Sequence, residues 1–454
     1  MITALSWVPR GAAARTPKKY EPTADEVERV RVAAEAENTN GAESSRTETS
    51  GLPADLNMDD YDNEDDTVDM EAEEDPYITM PGADSDDEGE DLQLKDTDAV
   101  LLAARSEDEY SSVEVYVYDE ESGNLYVHHD ITLSAFPLCI SWVGQNPRSK
   151  AKGNLAAVGT FKPEIEVWDM DELEVLEPYI KLGGKDNSSR RSPFKSGSHH
   201  DAIMSLSWNA QQPHVLASGS ADSTVKLWDM TNEKCLLTMK HHKDKVQAVE
   251  WHPFEQTVMI SGAFDKTVAL LDVRQAQNAS SCSTESDIEM LKWNPHNPAE
   301  FAVATESGRV TIHDARNIST KLCTIQGHNK AVSSITYSEM VPGLFATASV
   351  DKTVKLWDLM GDKPNCVASK ALGIGDLLCG SFYMNDPYLM AAGGSKGQVA
   401  IWETSEQAVV ERTFSGRVTK VPAVNSTAPV QVFSAAEDAE KAGSESAKQS
   451  VPKQ

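Results

Sequence analysis

The stretch HHDAIMSLSWNAQQPHVLASGSADSTVKLWD, residues 199–229, contains a spacing that recurs along the chain. A histidine precedes an aspartate by 23 positions, a hydroxyl residue lies between them, and a tryptophan follows the aspartate by six positions. The first set is His199, Ser218, Asp222 and Trp228. A second set is His328, Thr347, Asp351 and Trp357. A third has leucine in place of tryptophan: His242, Ser261, Asp265 and Leu271. A degraded copy places Thr284, Ser307 and His313 at the equivalent positions.

A repeat of roughly 43 residues that ends in Trp-Asp is typical of a WD-repeat β-propeller. Seven segments alternate apolar and other residues and end in a similar way, as half-buried strands do. They are residues 115–119, 165–169, 225–229, 268–272, 310–314, 354–358 and 399–403. We therefore predict an all-β, seven-bladed WD-repeat propeller over residues 99–416.

The first blade has no inner strand immediately before it in the sequence. Ile2–Val8 copies the pattern of Ile203–Trp208, so residues 1–10 are predicted to supply the missing strand. This pairing would protect an edge that is otherwise open. The alternative is an isolated apolar N-terminus. Blade seven is predicted to finish with an outer strand near Val409–Phe414.

The chain between the first two strands of blade one is long and divides into two parts. Residues 21–37 are predicted to form a helix, because Thr23 and Glu26 have capping-box spacing. Residues 38–98 are acidic and almost free of bulky side chains, which predicts disorder. The low-complexity tail, residues 417–454, is also predicted to be disordered.

The recurring His-Ser-Asp-Trp sets resemble catalytic triads in composition. Near-identical copies favour a structural role, because a catalytic set is ordinarily unique. A buried chain of hydrogen bonds from histidine to aspartate, hydroxyl and indole would fix each blade. No phosphate-binding loop or nucleophile elbow is evident, so no catalytic residue and no cofactor are predicted.

The charge is concentrated in one segment. The net charge is −31, and 17 acidic residues without any Lys or Arg lie between Asp59 and Asp91. This segment is either a solubilising tail or an attractant for basic partners such as ribosomal proteins or histones. Ser85 precedes three acidic residues and is a candidate phosphorylation site. Tyr77 and Ile78, isolated within the acidic tract, are either incidental or candidate residues for docking on the propeller or a partner.

A second candidate contact region is a basic loop between blades two and three. Its residues are Lys181, Lys185, Arg190, Arg191 and Lys195. It would contact RNA phosphates or act as a nuclear localisation signal, or it is an ordinary flexible loop.

Cysteine and histidine usage gives no sign of a metal. Six scattered cysteines without a Cys-x-x-Cys pair indicate buried, reduced thiols in an intracellular protein. His128 and His129 lie in an alternating strand, so their rings should point to opposite faces. No apolar run has the length of a membrane helix, and the first residues do not form a secretory signal.

Several stretches together resemble the periodic tryptophan protein 1 family over the chain from Met1 to about Gly416. They are ALSWVPRG (4–11), DPYITM (75–80), YVHHDITLSAFPL (126–138), IEVWDMDELEVLEP (165–178) and KDKVQAVEWHPFE (243–255). The basic loop matches a Lys-rich loop of the family in position but is less basic here.

The resemblance implies a nuclear and nucleolar protein that acts in ribosome biogenesis, chiefly in large-subunit rRNA maturation. It implies pre-ribosomal proteins and assembly factors as partners, with pre-rRNA and histones as further candidates, and no catalytic residues. A chromatin adaptor acting on ribosomal-DNA transcription is the main alternative. A substrate receptor of a ubiquitin ligase is a third, although no ligase-docking element is evident.

Overall fold

The computed structural model describes residues 1–20, 93–107, 110–185, 194–275, 278–361 and 363–419. They belong to two units. The first comprises Met1–Ala14, Lys95–Asp171 and the chain from Pro178 onward. The second comprises Arg15–Leu94 and Glu172–Glu177. The predicted helix at 21–37, nearly all of the acidic segment and the tail from 420 lie outside the described residues.

The first unit is a seven-bladed propeller, which confirms the predicted fold. Each blade is an antiparallel sheet in which the inner strand pairs with the second strand and the second with the third. In the four-stranded blades the third strand pairs with an outer strand. Blade one contains β1 (Ile2–Val8), β3 (Ala99–Glu107), β4 (Tyr110–Asp119) and β5 (Asn124–Thr132). Blade two contains β6 (Pro137–Gln145), β7 (Lys152–Thr160), β8 (Glu164–Asp169) and β10 (Ile180–Gly183). Blade three contains β11 (Ile203–Trp208), β12 (Val215–Ser220), β13 (Val225–Asp229) and β14 (Lys234–Met239).

The remaining blades continue the pattern. Blade four contains β15 (Val246–Trp251), β16 (Val258–Ala263), β17 (Thr267–Asp272) and β18 (Ser280–Ser283), and blade five contains β19 (Ile288–Trp293), β20 (Glu300–Thr305), β21 (Arg309–Asp314) and β22 (Asn317–Gln326). Blade six contains β23 (Ser334–Tyr337), β24 (Leu344–Ala348), β25 (Thr353–Asp358) and β26 (Asn365–Ala371). Blade seven contains β27 (Leu377–Phe382), β28 (Leu389–Gly394) and β29 (Val399–Glu403). The inner strands contact one another in the order β1, β6, β11, β15, β19, β23, β27 and back to β1, so the ring is closed.

A glycine in the second strand lets the next blade pack closely. A β-carbon added at Gly159 of blade two would lie 2.7 Å from Cγ2 of Ile203 in blade three. Closure of the ring repeats this contact, because a β-carbon at Gly393 of blade seven would lie 2.5 Å from Cγ2 of Ile2. Ile2 is fully buried. The first strand of the chain therefore joins blade one to blade seven by the packing that joins blades two and three.

Blade seven departs from the prediction at its outer edge. Residues Ala408–Phe414 form a helix, α1, where an outer strand was predicted, and blade seven has three strands. Val410 and Phe414, four positions apart, are fully buried, whereas Val409 is 54% exposed. A strand would have turned Arg412 toward the core together with Val410 and Phe414. The helix instead buries only the two apolar residues, and it packs against β26 of blade six.

The second unit has little regular structure among its described residues. Lys18–Lys19 (β2) and Glu172–Leu173 (β9) form a short parallel pair. The N–H of Leu94 donates to the carbonyl of Arg15 at 2.8 Å, so the two ends of the long insertion in blade one lie side by side. Across both units, none of the described helices is long and apolar enough to cross a membrane.

Candidate functional site: buried blade networks, channel and loop surface

The repeated residues of blade three form one continuous hydrogen-bonded chain. Nδ1 of His199 lies 2.9 Å from Oδ2 of Asp222, and Nε2 lies 2.8 Å from Oγ of Ser218. The indole N–H of Trp228 donates to the same hydroxyl at 2.8 Å. The other carboxylate oxygen of Asp222 accepts from the N–H and hydroxyl of Thr224. The chain thus links the loop before the inner strand to the second and third strands.

Blade six contains the same arrangement. His328 lies 2.9 Å from Asp351 and 2.7 Å from the hydroxyl of Thr347, to which the indole of Trp357 donates at 3.0 Å.

Blade four lacks the indole, because Leu271 occupies that position. Nδ1 of His242 lies 3.2 Å from Asp265, and its Nε2 lies 2.8 Å from Oγ of Ser261. Nε2 of His241 also lies 2.8 Å from this hydroxyl. The preceding histidine thus supplies the ring nitrogen that the missing tryptophan would have supplied.

The degraded copy in blade five does not join into such a chain. His313 is fully buried in the tryptophan position and stacks on Phe301, with 12° between the ring planes. Its ring nitrogens contact the hydroxyl of Thr311 at 2.9 Å and the carbonyl of Ile318 at 3.0 Å. Thr284 bonds elsewhere, to the carbonyls of Lys266 and Ser286.

These networks are poorly suited to nucleophilic catalysis. The hydroxyls of Ser218 and Thr347 are fully buried and already contact a histidine and an indole. Burial lowers the pKa of His199, which keeps the imidazole neutral. Burial alone would raise the pKa of Asp222, but hydrogen bonds from His199 and Thr224 outweigh it and lower the pKa. A neutral histidine that bridges a carboxylate and a hydroxyl satisfies all three buried groups.

The central channel has a volume of about 540 Å³ and is lined by the inner strands. Polar side chains on several inner strands accept the backbone N–H of the next blade. Ser207 accepts from Trp251 at 3.1 Å, and Glu250 accepts from Trp293 at 2.8 Å. Nζ of Lys292 lies 2.6 Å from the other oxygen of Glu250. The polar lining of the channel therefore also connects neighbouring blades.

The histidine pair in blade one differs from the prediction. Nδ1 of His128 lies 2.7 Å from Nδ1 of His129, so the two rings meet and do not point to opposite faces. The cause is a β-bulge, since Val115 pairs with His129 and Tyr116 with Val127. His128 is the extra residue, which breaks the period of two. The described residues contain no group of three or more His, Cys, Asp or Glu that could hold a metal ion.

The six cysteines are free, but they are not all buried as predicted. Cys366 is exposed, and the other five are partly buried. Burial raises the pKa of the Cys139 and Cys379 thiols to about 12. Their Sγ atoms approach the backbone carbonyls of Ile203 and Ile2 in the adjoining blades.

The candidate contact residues are only partly described. Ser85, Tyr77, Ile78, Arg190 and Arg191 lie outside the described residues, so their proposed roles stay predictions.

The described basic residues lie around the loop between blades two and three. Lys181 lies in β10, Lys185 forms an isolated bridge with Phe194, and Lys195 lies in the loop that leads to blade three. The fold brings Lys195 to a cleft that also contains Lys226 and Lys240. Sequence reasoning did not select these two lysines. The only sequence signal is the position of Lys226 between the apolar residues Val225 and Leu227 of a strand.

Comparison with known proteins agrees with this geometry. The family model "WD domain, G-beta repeat" matches residues 191–229, 233–272 and 319–358. A chain in a crystal structure of the mitotic checkpoint complex superposes with a TM-score of 0.53 at 16% identity, covering 69% of this chain and 84% of that one. This likeness concerns the fold alone.

Three relatives match most of the chain. An uncharacterized WD repeat-containing protein of Schizosaccharomyces pombe is 38% identical over 92% of each chain. The periodic tryptophan protein 1 homolog of Drosophila melanogaster is 32% identical over 74% of each chain. Periodic tryptophan protein 1 of Saccharomyces cerevisiae is 31% identical over 93% of this chain and 91% of its own length. The chain therefore belongs to the periodic tryptophan protein 1 family of WD-repeat proteins.

Proposed function

We propose that this protein is a non-catalytic scaffold in ribosome biogenesis, acting in the nucleolus on large-subunit pre-rRNA processing and assembly. Family membership over nearly the whole chain carries the proposal. Its partners would be pre-ribosomal proteins and assembly factors, with pre-rRNA as a further candidate.

The geometry of the blades supports a scaffold. The His-Asp-hydroxyl sets are buried and mutually satisfied, so they stabilise the blades and present no free nucleophile. The ring closes through buried contacts between blades one and seven. A closed, rigid ring offers loop surfaces of fixed geometry, which suits the simultaneous binding of several partners.

The acidic segment supports a basic partner. Ribosomal proteins and histones are both basic, and 17 uncompensated acidic residues would steer either class toward the protein. This feature alone also fits a chromatin adaptor acting on ribosomal-DNA transcription, so the experiment must separate the two.

The test is affinity purification of the tagged full-length chain from cells at moderate salt, followed by gradient sedimentation. We expect the protein to sediment with large-subunit precursors. A matched variant keeps the length of Asp59–Asp91 but replaces each acidic residue by its amide. Loss of the precursors with this variant would identify the acidic segment as the recruiter, whereas retention would identify the propeller.

Sedimentation with nucleosomes, and with no pre-ribosomal particle, would refute the proposal in favour of the chromatin adaptor. Imaging gives a second readout, because the protein should concentrate in nucleoli. A diffuse cytoplasmic distribution would also contradict the proposal.

A further inference from the structure

A cleft of about 820 Å³ lies on blade three, between the loop that enters the blade and the β12–β13 turn. Its wall contains three lysines, Lys195, Lys226 and Lys240. Ser196 and Ser223 also line it, whereas the hydroxyls of Ser198 and Thr224 already donate to Gly184 and Asp222. A cleft with several ammonium and hydroxyl donors is chemically suited to an anion.

The only carboxylate among the residues that line the cleft is already engaged. Asp222 accepts from His199, from the backbone N–H of His200 at 3.0 Å, and from Thr224. Its contact at ion-pair distance is with His199, and it forms no ion pair with the three lysines of the cleft.

Lys226 is the residue of this cleft that argues most strongly for an anion site. It is only 5% exposed, and its ammonium donates to the hydroxyl of Thr238 at 2.9 Å. It forms no ion pair with any residue that the structure describes. By contrast, the channel ammonium of Lys292 lies 2.6 Å from a carboxylate. Burial lowers the pKa of Lys226 and outweighs the opposite effect of the Asp222 charge.

The equivalent lysine of blade six is less deeply buried and has a different acceptor. The equivalent lysine of the second VKLWD segment, Lys355, donates to the backbone carbonyl of Gly327 in the loop before its blade. In blade three the preceding loop is longer, and Lys226 bonds across the sheet to Thr238. Two of its three donor positions therefore have no protein partner in the described chain.

We propose that this cleft binds the phosphate of a phosphorylated serine or threonine side chain in a peptide partner. The phosphate oxygens would accept from Lys226 and from the hydroxyls of Ser196 and Ser223, and the exposed Lys195 and Lys240 would flank them. A phosphomonoester carries about −1.5 to −2 charge and projects from its peptide. An RNA phosphodiester carries one charge and is held within its backbone, so it is less suited to a buried ammonium. The site goes beyond the proposed scaffold role and does not depend on it.

The test uses the full-length protein and a short fluorescent peptide with one phosphoserine among neutral residues. Binding is followed by fluorescence polarisation, with the unphosphorylated peptide and a single-stranded RNA as parallel probes. Lys226→Met removes the buried ammonium, and Lys240→Gln removes a charge at the exposed rim. Lys330→Gln, in a loop of blade six, makes the same change in net charge away from the cleft and is the matched control.

We expect the phosphopeptide to bind and Lys226→Met to weaken it by about tenfold or more, the usual effect of losing one charge-assisted hydrogen bond. Lys240→Gln, which is exposed and does not disturb the core, should weaken binding by about two- to fivefold. Lys330→Gln should bind like the parent chain.

Three results would overturn the proposal. The first is no saturable binding of the phosphopeptide. The second is equal binding of the unphosphorylated peptide, or tighter binding of the RNA. The third is unchanged affinity in both Lys226→Met and Lys240→Gln, with circular dichroism showing that the variants are folded.

Discussion

Closure of the ring by the first strand makes a quantitative prediction about Ile2 and Gly393. Ile2 is fully buried, and its Cγ2 would lie 2.5 Å from a β-carbon at position 393. Ile2→Ala should lower the free energy of unfolding by about 2–5 kcal/mol, because it leaves a cavity between blades one and seven. Gly393→Ala should cost about 1–3 kcal/mol, because the added methyl has no space.

The two changes should not be additive. Removing the branched side chain of Ile2 vacates part of the volume that the methyl at position 393 needs. The double variant should therefore lose less stability than the sum of the single variants, by about 1 kcal/mol. Some strain should remain, because Sγ of Cys379 would still lie 2.6 Å from the new β-carbon.

Urea denaturation monitored by circular dichroism and tryptophan fluorescence measures these differences. Ile203→Ala with Gly159→Ala is the internal reference, because the same contact joins blades two and three. Additive effects at Ile2 and Gly393, together with coupling at the reference pair, would show that blade one does not pack on blade seven as described. A loss below about 0.5 kcal/mol for Ile2→Ala would refute the closure outright.

Three further predictions concern the buried hydrogen-bond networks of the blades, the dependence of stability on pH, and the reactivity of the cysteine thiols. Asp222→Ala and Asp351→Ala should each lower the free energy of unfolding by about 2–4 kcal/mol in urea titrations, because each leaves a buried histidine without its carboxylate; a loss typical of surface sites would contradict the structural role. Burial lowers the pKa of His129 and His241 to about 4, whereas unfolded imidazoles titrate near 6.5. The unfolded chain then binds more protons between these values, so stability should fall as the pH drops from 6.5 toward 4, by roughly 1–2 kcal/mol per imidazole at pH 5; a constant urea midpoint from pH 7 to 5 would contradict this. Under native conditions a thiol reagent should modify Cys366 first, while the thiols whose pKa is raised to about 12 should react only on unfolding, as mass spectrometry of the labelled peptides would show.

The repeating blades were predictable from sequence because their signals are local and periodic. The spacing of Asp222 and Trp228 recurs at Asp351 and Trp357, and it marks the same turn and strand in each blade. The match between Ile2–Val8 and an internal strand was visible for the same reason. Only blade one lacked an inner strand directly before its second strand, so the matching segment Ile2–Val8 could be assigned to that blade.

The departures occur where one local pattern competes with another. The β-branched pair Val409 and Val410 favours a strand, but the four-residue spacing of Val410 and Phe414 favours the helix that forms. His128 and His129 alternate in sequence, but a bulge shifts one of them.

The cleft could not be found from sequence. Lys195, Lys226 and Lys240 become neighbours only when a loop, a third strand and the end of an outer strand fold together. No periodic pattern in the sequence predicts that these three lysines are neighbours.

The position of β1 has a consequence for synthesis of the protein. The indole N–H of Trp7 donates to the carbonyl of Ser381, 374 residues later in the chain. At about 5–20 residues per second, the ribosome needs roughly 20–75 seconds to supply the acceptor after the donor has been made. During that interval the apolar first strand has no blade-seven partner. Pairing with β3 can cover one edge of the strand early, and slow translation of the last blade would lengthen the period in which its blade-seven side is exposed.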